Sequence, residues 1–173
     1  NWPWMRESQK NIEYVNNCQT RCVIDSGMQR DIHPPYKGNV GKRLAYAAQS
    51  MVYQQGSVPQ SPEYSAHQFD DESTLITLKN VGSGLSTSNP LIKDMNYNDG
   101  EVLGFTVMNA NSEYQRATGE VIAYNQIRVR HPGISTPKSI RYGWENFPNL
   151  NLFGSGNMPA FPFRTDQYSP FAN

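Results

Sequence analysis

Asp31-Ile32-His33-Pro34-Pro35 is the stretch whose residue types and spacing best suit chemistry. A histidine with an ordinary pKa of about 6.5 takes and returns a proton near neutral pH, as a general base must. Pro34 and Pro35 fix φ just after the imidazole and narrow the shapes open to the loop. Two acids stand nearby: Asp31, two residues before His33, and Asp25, eight before. Either could accept the imidazole N–H and orient the ring, which Arg30, three before, cannot do. Asp31 is the favoured orienter, with Asp25 or an acid upstream as alternatives. A base and its orienter are half of what acyl transfer through a serine needs; the rest is the nucleophile and donors for the oxyanion. No serine here suits the first of these. Ser26 follows an apolar run without entering a helix, and Ser83 lies in a Gly-Ser-Gly turn.

Elements on both sides must hold that loop. Asn39 is a good N-cap for a helix whose Val40, Leu44, Ala47, Ala48, Met51 and Val52 share one face, running to about Tyr53 and ending before Gly56. Upstream, Cys22-Val23-Ile24-Asp25 followed by Ser26-Gly27 reads as a buried parallel strand passing into a loop, and open α/β sheets bind ligands at such ends. Met5 to about Asn16 is expected to form a first helix, with Met5, Ile12 and Val15 as its thin apolar face. Helix, strand, loop and capped helix then make the last βα-type unit of a sheet whose other strands lie outside this chain.

From Tyr53 to about Gln68 the composition shifts to Gln, Ser, Pro and Gly. The division expected is therefore an α/β portion over residues 1–55, a linker over 56–68 and an all-β, sandwich-like domain over 69–173. Its strands are expected at Thr74–Lys79, Val102–Met108, Gly119–Tyr124, Ile127–Arg130 and Ser139–Trp144, between turn clusters such as Gly82-Ser83-Gly84, Asn98-Asp99-Gly100 and His131-Pro132-Gly133. Asn125-Gln126 would close a hairpin. The tail from Asn146 to Asn173 carries Phe147, Leu150, Leu152, Phe153, Phe161 and Phe163, too apolar for a free segment, and is expected to lie packed against other parts of the chain.

Several separated stretches resemble the C-terminal part of the sialate O-acetylesterase family, whose esterase domain is an SGNH-type serine hydrolase. Trp4-Met5-Arg6-Glu7-Ser8-Gln9 is similar to that family's Arg-Glu-Ala-Gln helix, Val23-Ile24-Asp25-Ser26-Gly27 to its last sheet strand, and Asp31-Ile32-His33-Pro34 through Gly41-Lys42-Arg43-Leu44 to its histidine loop and final helix. Ile140-Arg141-Tyr142-Gly143-Trp144 and Pro159-Ala160-Phe161-Pro162-Phe163-Arg164-Thr165-Asp166 resemble its closing segments. The resemblance implies a flavodoxin-like α/β portion ending in residues 1–55, His33 as catalytic base, and Arg6 and Glu7 at the border of the site. It also implies acetylated sialic acid or related sugars as substrate, no cofactor, and a secreted or periplasmic location. The family's usual aspartate three residues before the histidine is replaced by Arg30, so the orienter does not carry over. The family's serine and oxyanion donors lie in its N-terminal part, so a partner is expected, either an N-terminal portion or a separate chain of the same esterase. These residues alone are then not a competent hydrolase.

Composition sets the remaining bounds. Lys plus Arg number 15 and Asp plus Glu 15, so no net field gathers nucleic acid or an anionic membrane, and neither is an expected partner. The apolar runs fall far short of the about 20 residues a membrane-spanning helix needs. The chain opens on Asn1, and Trp2-Pro3-Trp4 reads as the inside of a domain, so residues upstream are expected. Cys18 and Cys22 could close a local disulfide or stay as thiols; a lone Cys-x-x-x-Cys is no zinc site. His67 and His131 lack ligand spacing and no metal centre is expected. The alternative to an esterase is a non-catalytic β-sandwich module that binds carbohydrate, with the first 53 residues as an accessory helical segment.

Overall fold

The computed structural model describes residues 1–87, 98 and 100–168. Asp99 of the Asn98-Asp99-Gly100 turn and the last residues of the tail, 169–173, lie outside the described residues. Two α-helices, α1 (Trp2–Lys10) and α2 (Gly38–Met51), precede ten strands. The strands are β1 (Glu63–Asp70), β2 (Ser73–Lys79), β3 (Ser86–Thr87), β4 (Glu101–Met108), β5 (Tyr114–Ala123), β6 (Gln126–Arg130), β7 (Ser139–Tyr142), β8 (Leu152–Gly154), β9 (Met158–Pro159) and β10 (Phe163–Arg164).

Seven strands form one antiparallel sheet in the order β1-β2-β6-β5-β4-β7-β10, and β3-β8-β9 form a small second sheet. The large sheet curls until its edges nearly meet. Phe161 N–H donates to the Pro62 carbonyl at 2.9 Å, and the Tyr64 ring of β1 stacks on Phe163 of β10 at 4.8 Å. The period-two pattern explains the interior: Thr74, Ile76 and Leu78 of β2 and Ile127 and Val129 of β6 point inward between exposed or half-exposed neighbours. Val102, Phe105 and Val107 do the same on β4 once a bulge between Val102 and Phe105 shifts the register.

The expected fold class does not form. Instead of an α/β portion followed by a separate sandwich, the chain is mostly β, a nearly closed barrel-like sheet onto which the two helices and their connections fold. The expected strand at Cys22–Asp25 is the point of failure: Ile24–Ser26 is a turn of 3₁₀ helix, and neither sheet includes these residues. A strand needs a neighbour to bond its backbone, and among the described residues none lies beside this one.

The first helix ends early, at Lys10, and continues as a 3₁₀ turn over Asn11–Tyr14. Lys37, not Asn39, is the N-cap of α2. The face that α2 buries is Arg43 and Ala47, while Leu44, Met51 and Val52 of the expected apolar stripe are turned outward. Glu63–Gln68, read from composition as linker, open β1. The β5–β6 hairpin turns on Tyr124-Asn125, one residue before the expected pair, since Ala123 already faces Gln126.

The tail closes the structure. Leu150, Leu152, Phe153 and Phe163 are buried, and residues 143–166 bind the helical segment. Arg6 donates to the carbonyls of Gly143 (3.1 Å), Asn146 (3.3 Å) and Glu145, and Arg164 grips Glu7 through two bonds of 2.8 and 3.0 Å.

Candidate active site

His33 stands on an irregular loop between the 3₁₀ turn at Ile24–Ser26 and the start of α2, and it is exposed. Asp31 does meet it, but through the backbone: its Oδ1 accepts the His33 N–H at 2.8 Å, and Met28 and Asp31 form an isolated bridge. This local turn of an aspartate onto the backbone two residues on stiffens the loop. Among the described residues, no hydrogen bond reaches the imidazole itself.

Asp25, the other candidate orienter, is committed elsewhere. Both of its oxygens meet the Arg43 guanidinium of α2, with Nη2 to Oδ2 at 2.7 Å. Arg43 is 3% exposed and also donates to the carbonyls of Cys22 and Asn157, each at 3.1 Å. It joins the residues before the His33 loop, the helix after it and the β-body.

Arg6 and Glu7 lie on α1 and border the groove nearest the loop. This groove, about 690 Å³, runs between α1, residues 20–24 and 27–32, and Trp144, residues 146–148 and 161–162, with Asp31, Ile32 and Pro34 along one wall; His33 is not among the residues that line it. Both side chains are anchored within the fold, Arg6 on the tail carbonyls and Glu7 on Arg164.

Arg164 belongs to a larger constellation. Its guanidinium lies over Trp4 at 4.4 Å and Trp144 at 5.6 Å, and that of Arg141 lies over Tyr114 at 4.0 Å and Trp144 at 5.7 Å. Asp166 binds both arginines: Arg141 at 2.7 and 3.0 Å, and Arg164 at 3.0 Å. Burial alone would raise the Asp166 carboxyl, but bonds from Arg141 and Tyr114, the charge of Arg141 and the bond from Arg164 hold it well below the usual carboxylate range. Alternating rings and guanidinium groups thus fasten α1 to β7 and β10.

The other histidines hold structural places. His131 is buried, with Nδ1 on the Ile134 carbonyl at 3.0 Å and Nε2 on the Thr74 hydroxyl at 2.9 Å. His67 lies on β1, 2.6 Å from the Tyr64 hydroxyl, and burial lowers its pKa. Cys18 and Cys22 are both free thiols, and burial pushes Cys22 up to about 12.

Arg43 and Arg164 were not singled out from sequence as individual residues. For Arg43 a signal existed: an arginine four residues before Ala47 on an amphipathic helix, with an acid closing the apolar run upstream. For Arg164 the Glu7 partner lies 157 residues away, beyond any local pattern.

A scan against protein-family models gave no match, and no curated protein matched. Among solved structures, a carbohydrate acetylesterase from Xanthomonas citri is similar to this chain with a TM-score of 0.85 and 31% identity, over 96% of this chain and 37% of that one. The chain therefore spans little more than a third of that esterase's length. Among the described residues no helix is long and apolar enough to cross a membrane.

Proposed function

We propose that these residues are part of a carbohydrate O-acetylesterase in which His33 is the general base for a serine carried outside residues 1–173. The observation that carries this reading is the likeness to a carbohydrate acetylesterase over 96% of the chain. In the reaction, His33 takes the proton of the serine hydroxyl as it attacks the acetyl carbonyl. It returns that proton to the departing sugar oxygen and then repeats the exchange with water to release acetate. Asp31 is assigned as orienter, since it already binds the residue whose ring it would steer. Acetyl esters of sialic acid or of related plant sugars are the proposed substrates.

The exposed apolar surface supports a partner body. Trp2, Met5, Tyr14, Ile32, Tyr36 and Leu44 are all open to solvent, and most of the exposed large hydrophobics fall in the first 53 residues. This concentration of exposed apolar residues in one part of the chain is what supports the reading that a partner covers it. An N-terminal portion or a companion chain of the same esterase would cover it and bring the serine to His33. The second reading, a carbohydrate-binding β-module without catalysis, is favoured by one observation: the imidazole has no carboxylate on it among the described residues.

Acetate release from acetylated sugars by the natural polypeptide, compared with residues 1–173 alone, separates the two. Turnover by the former and none by the latter is the expected result. Binding of the sugar with no turnover in either would leave the module.

A further inference from the structure

We propose that Arg43, acting through Asp25, is a positioning residue that sets the aim of the His33 imidazole; the inference rests on the reading of His33 as base. The His33 loop, residues 27–37, leaves the 3₁₀ turn that carries Asp25 and enters the helix that carries Arg43. One guanidinium therefore gathers both ends of the loop. It binds the Cys22 carbonyl and both Asp25 oxygens on one side, and the Asn157 carbonyl of the β-body on the other.

Between these anchors the loop has little else to hold it. Its own bonds, the Met28–Asp31 bridge and the Asp31 contact to the His33 N–H, are internal. Among the described residues, no hydrogen bond ties residues 28–36 to the β-body. The direction in which the loop presents its imidazole is then set by where its two ends are fixed.

The choice of residues fits that task better than it fits stability. A buried ion pair is a weak source of net stability compared with apolar residues of similar volume, and its best attested use is to fix a register. The rigid fork of arginine specifies the angle as well as the distance between the parts it joins. Lysine, a point charge on a flexible stem, would hold the charge without the angle. A base displaced by about 1 Å loses on the order of 10²-fold in rate without contacting anything new.

The test uses the natural polypeptide and p-nitrophenyl acetate, with kcat, KM and the urea midpoint measured for three variants: the double variant Asp25→Leu/Arg43→Met, Arg43→Lys and His33→Ala. The double variant replaces the pair by apolar side chains; a urea midpoint close to that of the parent, KM within about twofold and kcat lowered more than about tenfold is the expected result. Parental kcat in that variant overturns the proposal. Should the double variant unfold, Arg43→Lys is read in its place: lowered kcat at an unchanged KM supports the role, and full kcat overturns it. His33→Ala distinguishes the two levels. Loss of turnover there with full kcat in the pair variants removes the positioning role alone, whereas full turnover in His33→Ala removes the base and with it the residue said to aim it.

Discussion

Replacing Arg164 by alanine is expected to loosen α1 from the β-body and to cost about 2–2.5 kcal/mol. The sum follows from what the guanidinium touches. Its two bonds to Glu7, at 2.8 and 3.0 Å, are charge-assisted, but Glu7 is 28% exposed and regains water when they break. A screened pair of this kind contributes about 1–1.5 kcal/mol, well below a buried one. Stacking over Trp4 at 4.4 Å adds about 1 kcal/mol for a half-buried cation–π contact. Asp166 loses one bond but keeps Arg141 and Tyr114, so it is not left as an orphaned buried charge. The assay is urea unfolding followed by Trp fluorescence, together with amide exchange across Trp2–Lys10. Exchange there should accelerate while the β-sheet amides keep their protection, because α1 joins neither sheet and is held to the β-body through side chains such as Arg6 and Arg164. Glu7→Gln combined with Arg164→Ala should cost less than the two separately, by roughly 1 kcal/mol. A loss under about 0.5 kcal/mol, the level of an ordinary surface substitution, with unchanged exchange in α1 would refute the reasoning.

Gly104→Ala is expected to cost about 2–4 kcal/mol in the same assay: φ at this position is +97°, and a Cβ would sit 2.2 Å from Leu150 Cδ2, so backbone strain adds to displacement of a core side chain. Acid unfolding should report Asp166. Its folded pKa lies below the unfolded value of about 3.9, so its contribution is complete above that value and is lost as pH falls through the folded one. Urea midpoints should therefore decline below about pH 4, and Asp166→Asn should lower the neutral plateau and flatten that acid limb, whereas parallel profiles would contradict the assignment. A thiol reagent should titrate Cys18 in the native protein and Cys22 only in denaturant, since Cys22 is buried and pushed up to about 12.

The strands were the most legible part of the molecule. Residues such as Ile76, Leu78, Ile127 and Val129 alternate with outward neighbours, and that alternation survives into β2 and β6 with ends displaced by a single residue. β1 was hidden because Glu63–Asp70 carries Ser, His and Gln and takes its place from pairing with β2, not from its own apolar content. The short strands β8 and β10 owe their form to distant partners, β3 and β7, and β9 to its pairing with β8; at two or three residues each, none carries a period that could mark it. Cys22–Asp25 misled for the opposite reason: its apolar pattern suits a strand, but among the described residues it has no ladder to join. At the candidate site, the loop that carries His33, with Pro34 and Pro35, was legible as a loop leading into a helix. The commitment of Asp25 to Arg43 was not, because a carboxylate's partner depends on how α2 rolls, and α2 buries Arg43 beside the expected Ala47 while Leu44 and Met51 turn outward.

The most direct measurement is acetate release by the natural polypeptide before and after His33→Ala, with folding checked by the urea midpoint. An unchanged midpoint with kcat lowered by at least about 10³-fold is the result predicted for a catalytic base. Turnover equal to the parent's would contradict the central claim and leave these residues as a carbohydrate-binding β-body with a helical flank.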